Sequence, residues 1–164
     1  PLDGVQVRVD AEGALFARGP TRALGYIGAD QLLANRDGWY RTGDLGRIDD
    51  RGRLWVTGRR IDRIVSGGVT LDAVEVEEAL RAHPTVFDAC VVGLPDDTWG
   101  QRVAAWIEPV EGEFEQGEIE RFVAERLSSA KRPRAWHVAH GLPRNVNGKV
   151  DRRRVLDTLL RRCG

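Results

Sequence analysis

The spacing of apolar and polar residues changes near residues 58–62, and this change restricts the folds that the chain can adopt. Before it, short alternations of apolar and polar residues joined by glycine-containing turns predict β-hairpins over residues 5–18 and 47–57. After it, segments with helical spacing alternate with strand-like runs. The 164 residues therefore predict a mixed α+β fold, with short hairpins followed by a small α/β domain that has a short, mostly antiparallel sheet and about three helices.

The helices of the second half have recognisable ends. Asp72 is suited to N-cap the first helix, with Glu75 completing a capping box, and Pro84 ends it. A second helix is predicted over residues 118–128, and Asp151 caps the third. The buried stripe of the third helix is predicted to be Val155, Leu156, Leu159 and Leu160. Strands are predicted over residues 87–93, 102–108 and 135–139.

The charge balance excludes several classes of protein. The 25 basic residues equal the 25 acidic ones, which argues against a general nucleic-acid or membrane-surface binder. No apolar run approaches the roughly 20 residues of a membrane span, so no membrane partner is predicted. Cys90 and Cys163 are the only cysteines, so neither a disulfide framework nor a cysteine zinc site is expected, and no residues are predicted as metal ligands. We expect a cytoplasmic protein.

Three segments carry side chains suited to chemistry. In the first, residues 38–46, the glycines beside Asp44 predict a tight turn that holds a carboxylate outward to accept hydrogen bonds from a diol such as ribose. In the second, residues 58–68, Arg59 can bridge a ribose or a phosphate, and Ser66-Gly67-Gly68 is predicted as a flexible loop.

The third segment, residues 142–151, places a lysine after Asn-Gly on a predicted mobile tip. Lysine is rare in this chain. Lys131 and Lys149 are the only two, and arginine supplies the other basic residues. The compact ammonium group of Lys149 can reach a phosphate or a developing oxyanion. Each segment taken alone is more often structural than functional.

In this order and at these distances, the three segments resemble the acyl- and aryl-CoA ligases of the adenylate-forming (AMP-binding) superfamily. The similarity begins at residues 12–20 and Gly25-Tyr26 and runs to the C-terminus. It implies that residues 1–58 are the end of the large domain, 59–61 a hinge, and 62–164 a small mobile domain. The chain is then expected to be a fragment that lacks the N-terminal part of the large domain and is inactive alone.

For the first half-reaction, the resemblance implies that a carboxylic acid attacks the α-phosphate of ATP to give acyl-AMP and pyrophosphate. The resemblance also implies that Asp44 accepts hydrogen bonds from the ribose with help from Arg59, and that Lys149, with Mg²⁺, stabilises the developing charge. It implies a hinge at Ile61, with Asp62 next to it. The family usually has a polar residue at the hinge, so Ile61 departs from its pattern.

For the second half-reaction, the resemblance implies that the small domain rotates and the thiol of CoA attacks the acyl-AMP. The residues it places along the CoA path are Gly67, Gly68, Trp99, Lys131, Arg132 and Arg134. The segment that follows the two glycines, residues 69–73, departs from the family's usual Glu-Asn-Ile-x-Pro.

Two alternatives stay open. A ligase of this kind can load a carrier protein in place of CoA, or the chain can be a non-catalytic CoA- or nucleotide-binding module. The acid itself cannot be read from these residues. The Ile64–Gly68 run and the short linkers are similar to small bacterial ligases, including the o-succinylbenzoate–CoA ligases of menaquinone synthesis, and fatty acyl or other aryl acids stay open.

Overall fold

The computed structural model describes residues 3–25, 27, 35, 37–111 and 114–163; Tyr26, one of the residues quoted for the resemblance, lies outside them. The chain divides into two compact units, Pro1–Arg60 and Ile61–Gly164, which we call the N-terminal unit and the C-terminal unit.

The N-terminal unit contains a four-stranded antiparallel sheet in the order β1-β2-β3-β4. Its strands are β1 (Gln6–Val9), β2 (Ala14–Arg18), β3 (Tyr40–Ile48) and β4 (Leu54–Arg59). Both predicted hairpins are confirmed by the β1–β2 and β3–β4 pairings.

An aspartate organises the tight turn of each hairpin. Asp10 Oδ1 accepts hydrogen bonds from the backbone amides of Glu12 and Ala14. In the second turn, Asp49 accepts from backbone amides and from the side chains of Trp55 and Arg53. These bonds, the one from Trp55 above all, lower the pKa of Asp49 to about 2. Both turns therefore follow the local side-chain chemistry that makes aspartate common in turns.

The turn predicted around Asp44 is wrong, because Asp44 lies within β3. Gly43 has a φ of +83°, and the pairing with β4 shifts register between Leu45 and Gly46. A Cβ atom on Gly46 would overlap the carbonyl oxygen of Trp55 in the neighbouring strand. The glycines thus permit a bulge and a close approach between strands, and the chain does not reverse there.

The C-terminal unit contains a sheet in the order β6-β5-β8-β7, with β9 pairing parallel to β8 on its own. Three helices accompany it, which confirms the predicted fold class. The elements are β5 (Arg63–Ser66), β6 (Val69–Asp72), α1 (Ala73–Arg81), β7 (Val86–Asp96), β8 (Gly100–Pro109), α2 (Gln116–Ala124), β9 (Ala135–Val138) and α3 (Arg152–Cys163). Short 3₁₀ turns occupy Arg60–Asp62 and Ser129–Lys131. Among the described residues, no helix combines the length and apolarity needed to cross a bilayer.

The antiparallel pair β7–β8 separates two hydrophobic cores. Alternate residues, such as Val91 and Val103, join the first core, which also contains residues of α1 and α2. The intervening residues, such as Cys90 and Trp106, join the second core with residues of α3. Burial raises the pKa of the Cys90 thiol to about 12, so this cysteine stays protonated and packs as an apolar group.

The stripe predicted for α3 is narrower than expected. Val155 and Leu159 are buried in the second core and Leu156 packs against it, whereas Leu160 is 40% exposed. Leu160 lies one position beyond Leu159, and that step of about 100° around the helix turns it away from the sheet. The helix therefore buries one narrow face.

The predicted caps of α1 and α3 are confirmed. Asp72 accepts from the amide of Val74 at 2.9 Å, and Asp151 from that of Arg154 at 3.1 Å. The capping-box role predicted for Glu75 is wrong, because its carboxylate receives the ammonium group of Lys131. A distant cation thus takes the place of the local amide.

The Ser66-Gly67-Gly68 segment is a tight β-hairpin turn, where the sequence predicted a flexible loop. Gly67 and Gly68 have φ values of +56° and +79°, as a two-residue type I′ turn requires. The turn joins β5 to β6, a strand that the sequence did not predict. The ring of Trp99 covers Gly67, where a Cβ atom would lie 2.7 Å from the ring carbon Cε3.

This turn generates a test with a matched pair of substitutions. We expect Gly67→Ala and Gly68→Ala each to cost about 1–2 kcal/mol of unfolding free energy, because both force alanine into positive φ. Gly67→Ala should cost about 1–3 kcal/mol more, because its methyl group displaces Trp99, whereas nothing lies within 4 Å of a Cβ on Gly68. Denaturant unfolding of both variants measures the difference, and equal losses would contradict the packing of Trp99 on Gly67.

Candidate functional site

Asp44 and Arg59 face each other across strands β3 and β4. They are paired in the strand register, and Arg59 Nε lies 3.2 Å from Asp44 Oδ1. The Asp44 side chain is 30% exposed. Thr42 Oγ1 accepts from the amide of Asp44 at 3.1 Å and donates to the carbonyl of Leu15 at 3.1 Å, which fixes the backbone beneath the carboxylate. The structure thus brings together the two residues predicted to bind the nucleotide.

Lys149 lies at the end of a closed turn, at the place where the sequence predicted a mobile tip. The amide of Asn145 donates to the carbonyl of Lys149 at 2.8 Å, and Gly148 donates back to the carbonyl of Asn145 at 2.9 Å. The Asn145 side chain accepts from the amides of Asn147 and Lys149 at 2.9 and 3.1 Å. Asparagine closes the turn with its own side chain, as Asx turns do.

The base of this turn is attached to the sheet through Arg144. Its Nη2 lies 2.6 Å from Asp88 Oδ2 on β7, and its Nη1 donates to the carbonyl of Gly148 at 3.1 Å. Lys149 itself is exposed and makes no ion pair within the residues that the structure describes. The ammonium group is therefore solvated on an ordered backbone.

Gly67, Trp99 and Arg134, three of the residues predicted along the CoA path, form one cluster. The amide of Gly67 donates to the carbonyl of Trp99 at 2.9 Å, and the Trp99 ring covers Gly67. The Arg134 guanidinium lies 4.0 Å from the centre of the Trp99 ring, within cation–π range. Gly68, beside Gly67, is exposed at the tip of the hairpin.

Lys131 and Arg132 have other partners. Lys131 Nζ lies 2.6 and 2.7 Å from the two carboxylate oxygens of Glu75. Arg132 donates to the carbonyls of Leu127 and Ala124 at 2.9 and 2.8 Å, at the C-terminal end of α2. Of the three predicted cations, Arg134 alone makes neither an ion pair nor a side-chain hydrogen bond within the described chain.

An open cleft of about 600 Å³ lies beside these cations. Both Arg132 and Arg134 line it, together with Trp136 of β9 and Glu120 of α2. Arg134 thus adjoins a space outside the two cores.

The predicted hinge residues Ile61 and Asp62 lie in the Arg60–Asp62 turn, and Asp62 contacts a residue that the sequence analysis missed. Arg152 Nε donates to Asp62 Oδ1 at 2.7 Å, and its Nη1 donates to the carbonyl of Val91 at 2.7 Å. Arg152 also pairs with Glu77, whose carboxylate accepts from the amide of Val91 at 2.7 Å.

This buried charge cluster of Asp62, Glu77 and Arg152 is well satisfied. The side chains of Glu77 and Arg152 are only 7% and 14% exposed. Burial on its own lowers the pKa of the Arg152 guanidinium, but the hydrogen bonds and charge of Glu77 outweigh it and raise the pKa above its usual value. The sequence did contain a signal, because Glu77 shares the buried face of α1 with Ala73 and Leu80.

No group of three or more His, Cys, Asp or Glu side chains in the described ranges is arranged to hold a metal ion. These residues do not form a protein cage for Mg²⁺, which is commonly held through substrate phosphates.

The chain resembles known proteins along almost its whole length. Residues 75–149 match the family described as the AMP-binding enzyme C-terminal domain. The 2-succinylbenzoate–CoA ligase of Bacillus cytotoxicus is 38% identical over 159 residues, which are 96% of this chain and 33% of that protein. The enzyme of the same name from Bacillus mycoides is 41% identical over 155 residues, or 93% of this chain and 32% of that protein. The chain thus spans about a third of the length of these curated relatives.

Solved structures agree with this result. ATP-bound MatB from Rhodopseudomonas palustris superimposes with a TM-score of 0.74 and 28% identity, covering 97% of this chain and 35% of that one. The o-succinylbenzoate CoA synthetase MenE from Bacillus subtilis, in complex with the acyl-adenylate OSB-AMP, gives a TM-score of 0.68 and 31% identity over 94% of this chain and 34% of that one. Residues 75–149 thus match the C-terminal domain of AMP-binding enzymes, and the chain as a whole is similar to about a third of the length of 2-succinylbenzoate–CoA ligases.

Proposed function

We propose that this chain works as part of an AMP-forming acid–CoA ligase. The carboxylate of the acid attacks the α-phosphorus of ATP, the bond to the β-phosphate oxygen breaks, and acyl-AMP and pyrophosphate result. The thiol of CoA then loses its proton and attacks the acyl carbon, releasing AMP and giving the thioester. The relatives named for 2-succinylbenzoate make that acid the first to test.

The observation that carries this proposal is that Lys149 is exposed and has no ionic partner in the described chain. It is exposed on a turn closed by Asn145, whereas Lys131 is paired with Glu75. An ammonium group without an ionic partner in the described chain can approach an anionic substrate without first breaking an ion pair. Its charge would stabilise the negative charge that develops at the carboxylate and the α-phosphate during attack.

The pair of Asp44 and Arg59 supports a ribose site. A carboxylate accepts hydrogen bonds from both hydroxyls of a diol, and the neighbouring guanidinium orients it. Arg59 uses Oδ1 of Asp44, and the partial exposure of this side chain leaves room for a hydroxyl donor. We infer that the ribose of ATP takes this place.

The cluster of Gly67, Trp99 and Arg134 supports an acceptor site for CoA. The 3′-phosphate of CoA needs a cation, and Arg134 presents its guanidinium beside an exposed indole. We assign Lys131 and Arg132 supporting roles, because their polar groups hold Glu75 and the end of α2. Gly68 keeps the hairpin tip free of a side chain next to this surface.

We also propose the domain assignment of residues 1–58 as the end of the large domain, 59–61 as the hinge and 62–164 as the mobile domain. The division between the compact units at Arg60 and Ile61 supports it. The small domain would rotate between the half-reactions, which is hinge motion about a few residues. Mg²⁺ stays a prediction for the whole protein.

The role of Lys149 is tested by separating the half-reactions in the full-length protein. We expect Lys149→Ala to lower pyrophosphate release by roughly 10²–10³-fold, because a transition-state contact is lost. Thioester formation from preformed acyl-AMP should change little. Arg154→Ala, which removes an exposed charge on α3, is the control. Equal losses in both half-reactions would count against this role.

The ribose site is tested with nucleotide analogues. We expect the wild-type protein to prefer ATP to 3′-deoxy-ATP, and Asp44→Ala to lose most of that preference, since the acceptor of the hydroxyl is gone. One hydrogen bond to a charged group is worth about 1.5–3 kcal/mol, or roughly 10–150-fold in kcat/KM. Asp50→Ala, at an exposed position of the β3–β4 turn, should keep the preference. Undiminished discrimination by Asp44→Ala would refute the assignment.

The acceptor site is tested by comparing CoA with 3′-dephospho-CoA. Arg134→Ala should raise the KM for CoA by about tenfold, as expected for one lost charge–phosphate contact, and leave that for 3′-dephospho-CoA nearly unchanged. Arg126→Ala is a matched control, because Arg126 also lies over an aromatic ring, that of Phe122. A protein that turns over acyl-AMP with a phosphopantetheinylated carrier and not with CoA would favour the carrier-protein alternative.

A further inference from the structure

We propose that Arg152 is a positioning residue that fixes Asp62 to the C-terminal unit, so that the hinge turns on the N-terminal side of Asp62, at Ile61. The inference rests on the proposed function, because it concerns the rotation between half-reactions. It assigns a role to an arginine and an aspartate outside the nucleotide and CoA sites.

Asp62 and Arg152 are in direct contact. Asp62 is the second residue of the C-terminal unit, and its Oδ1 accepts from Arg152 Nε at 2.7 Å. Both side chains are largely buried, at 20% and 14% exposure. A buried ion pair is screened far less by water than a surface pair, so this contact restrains the backbone of Asp62 more strongly.

Arg152 has little freedom to move with Asp62. Its two terminal nitrogens are used by the Glu77 carboxylate, and Nη1 also donates to the carbonyl of Val91 at 2.7 Å. Glu77 belongs to α1, Val91 to β7 and Arg152 to α3. The guanidinium therefore ties Asp62 to three packed elements at once.

The backbone at Ile61 is less restrained than the residues that follow it. From Arg63 onward the chain is held in β5 by pairing with β6, and Asp62 is held by Arg152. Ile61 is 40% exposed, and its side chain joins neither core among the described residues. The backbone torsions at Ile61 are thus the first, counted back from the C-terminal unit, that change without breaking the buried charge cluster.

The same arginine begins α3 three residues after Lys149. The amide of Asp151 donates to the carbonyl of Pro143 at 2.8 Å, and the carboxylate of Asp151 caps α3. The start of α3 is therefore fixed between the Lys149 turn and the charge cluster. Through Arg152, the backbone beside the hinge is therefore connected to the turn that carries Lys149.

The test uses two variants of the full-length protein that keep the charge opposite Glu77. Asp62→Ala removes the acceptor, and Arg152→Lys keeps the positive charge but loses the fork that reaches Asp62 and Glu77 together. The matched controls are Arg153→Lys, next along α3 and exposed, and Asp157→Ala, exposed on the same helix. Circular dichroism at the assay temperature establishes that every variant is folded.

The first readout is backbone hydrogen exchange of residues 61–66. We expect both Asp62→Ala and Arg152→Lys to speed exchange at residues 62–63 by about tenfold or more, and the controls to match the wild type. Unchanged exchange in both variants would overturn the proposal. This readout does not depend on activity, so a wild-type protein that released no pyrophosphate with any acid would refute the proposed function and leave this test intact.

The second readout is the rate of each half-reaction. A hinge with an unfixed end should slow pyrophosphate release and thioester formation from acyl-AMP alike, by about tenfold, because the unit must be positioned in both. The double variant should lose no more than the worse single variant, since both substitutions remove the same contact between Asp62 and Arg152. Additive losses, or rates equal to those of the controls, would show that Arg152 stabilises the fold without setting the hinge.

Discussion

The antiparallel pairing of β7 with β8 is the constraint on which the C-terminal unit depends. It runs from the Val86–Pro109 pair to the Asp96–Gly100 pair and places successive side chains on opposite faces. Helices α1 and α2 pack on one face and α3 on the other. Because both faces of these strands are buried, their central residues are almost continuously apolar. A shift of register by one residue would exchange the two cores, so the register is strongly specified.

The charge cluster of Asp62, Glu77 and Arg152 connects α1, β7 and α3 through polar contacts, in addition to the apolar contacts of the two cores. Burying three charged groups is costly, and the cost is offset because nearly every polar atom has a partner, including both polar groups of the Val91 backbone. Apolar residues of the same volume would pack equally well but would not hold the chain at Asp62. The cluster thus contributes specificity of position more than net stability.

Local patterns predicted much of this fold. The two N-terminal hairpins, the caps at Asp72 and Asp151 and the strands of the central pair all follow from residues close to them in sequence. Errors arose where a pairing partner decides the outcome. The β6 strand was missed because it forms only by pairing with β5 across a glycine turn. Glu75 was assigned to a cap because Lys131, 56 residues away, was not visible as its partner.

At the candidate site, too, the local sequence predicted some features, and contacts between distant residues decided others. Residue types and spacing pointed to Asp44, Arg59 and Lys149, and the structure pairs the first two across neighbouring strands. Spacing could not separate Arg134 from Lys131 and Arg132, because neighbouring basic residues differ only in what they contact. Arg152 was hidden within a basic run, since its partner Glu77 lies 75 residues away.

The closed turn that carries Lys149 has a mechanical consequence. Its backbone is joined through Arg144 to β7, and its end leads through Asp151 into α3. The backbone of this turn is therefore fixed to the sheet, and the lysine side chain is its flexible part. Any displacement of the C-terminal unit therefore moves the ammonium group with it. Only the four rotatable bonds of the side chain can then correct the position of this group relative to a substrate.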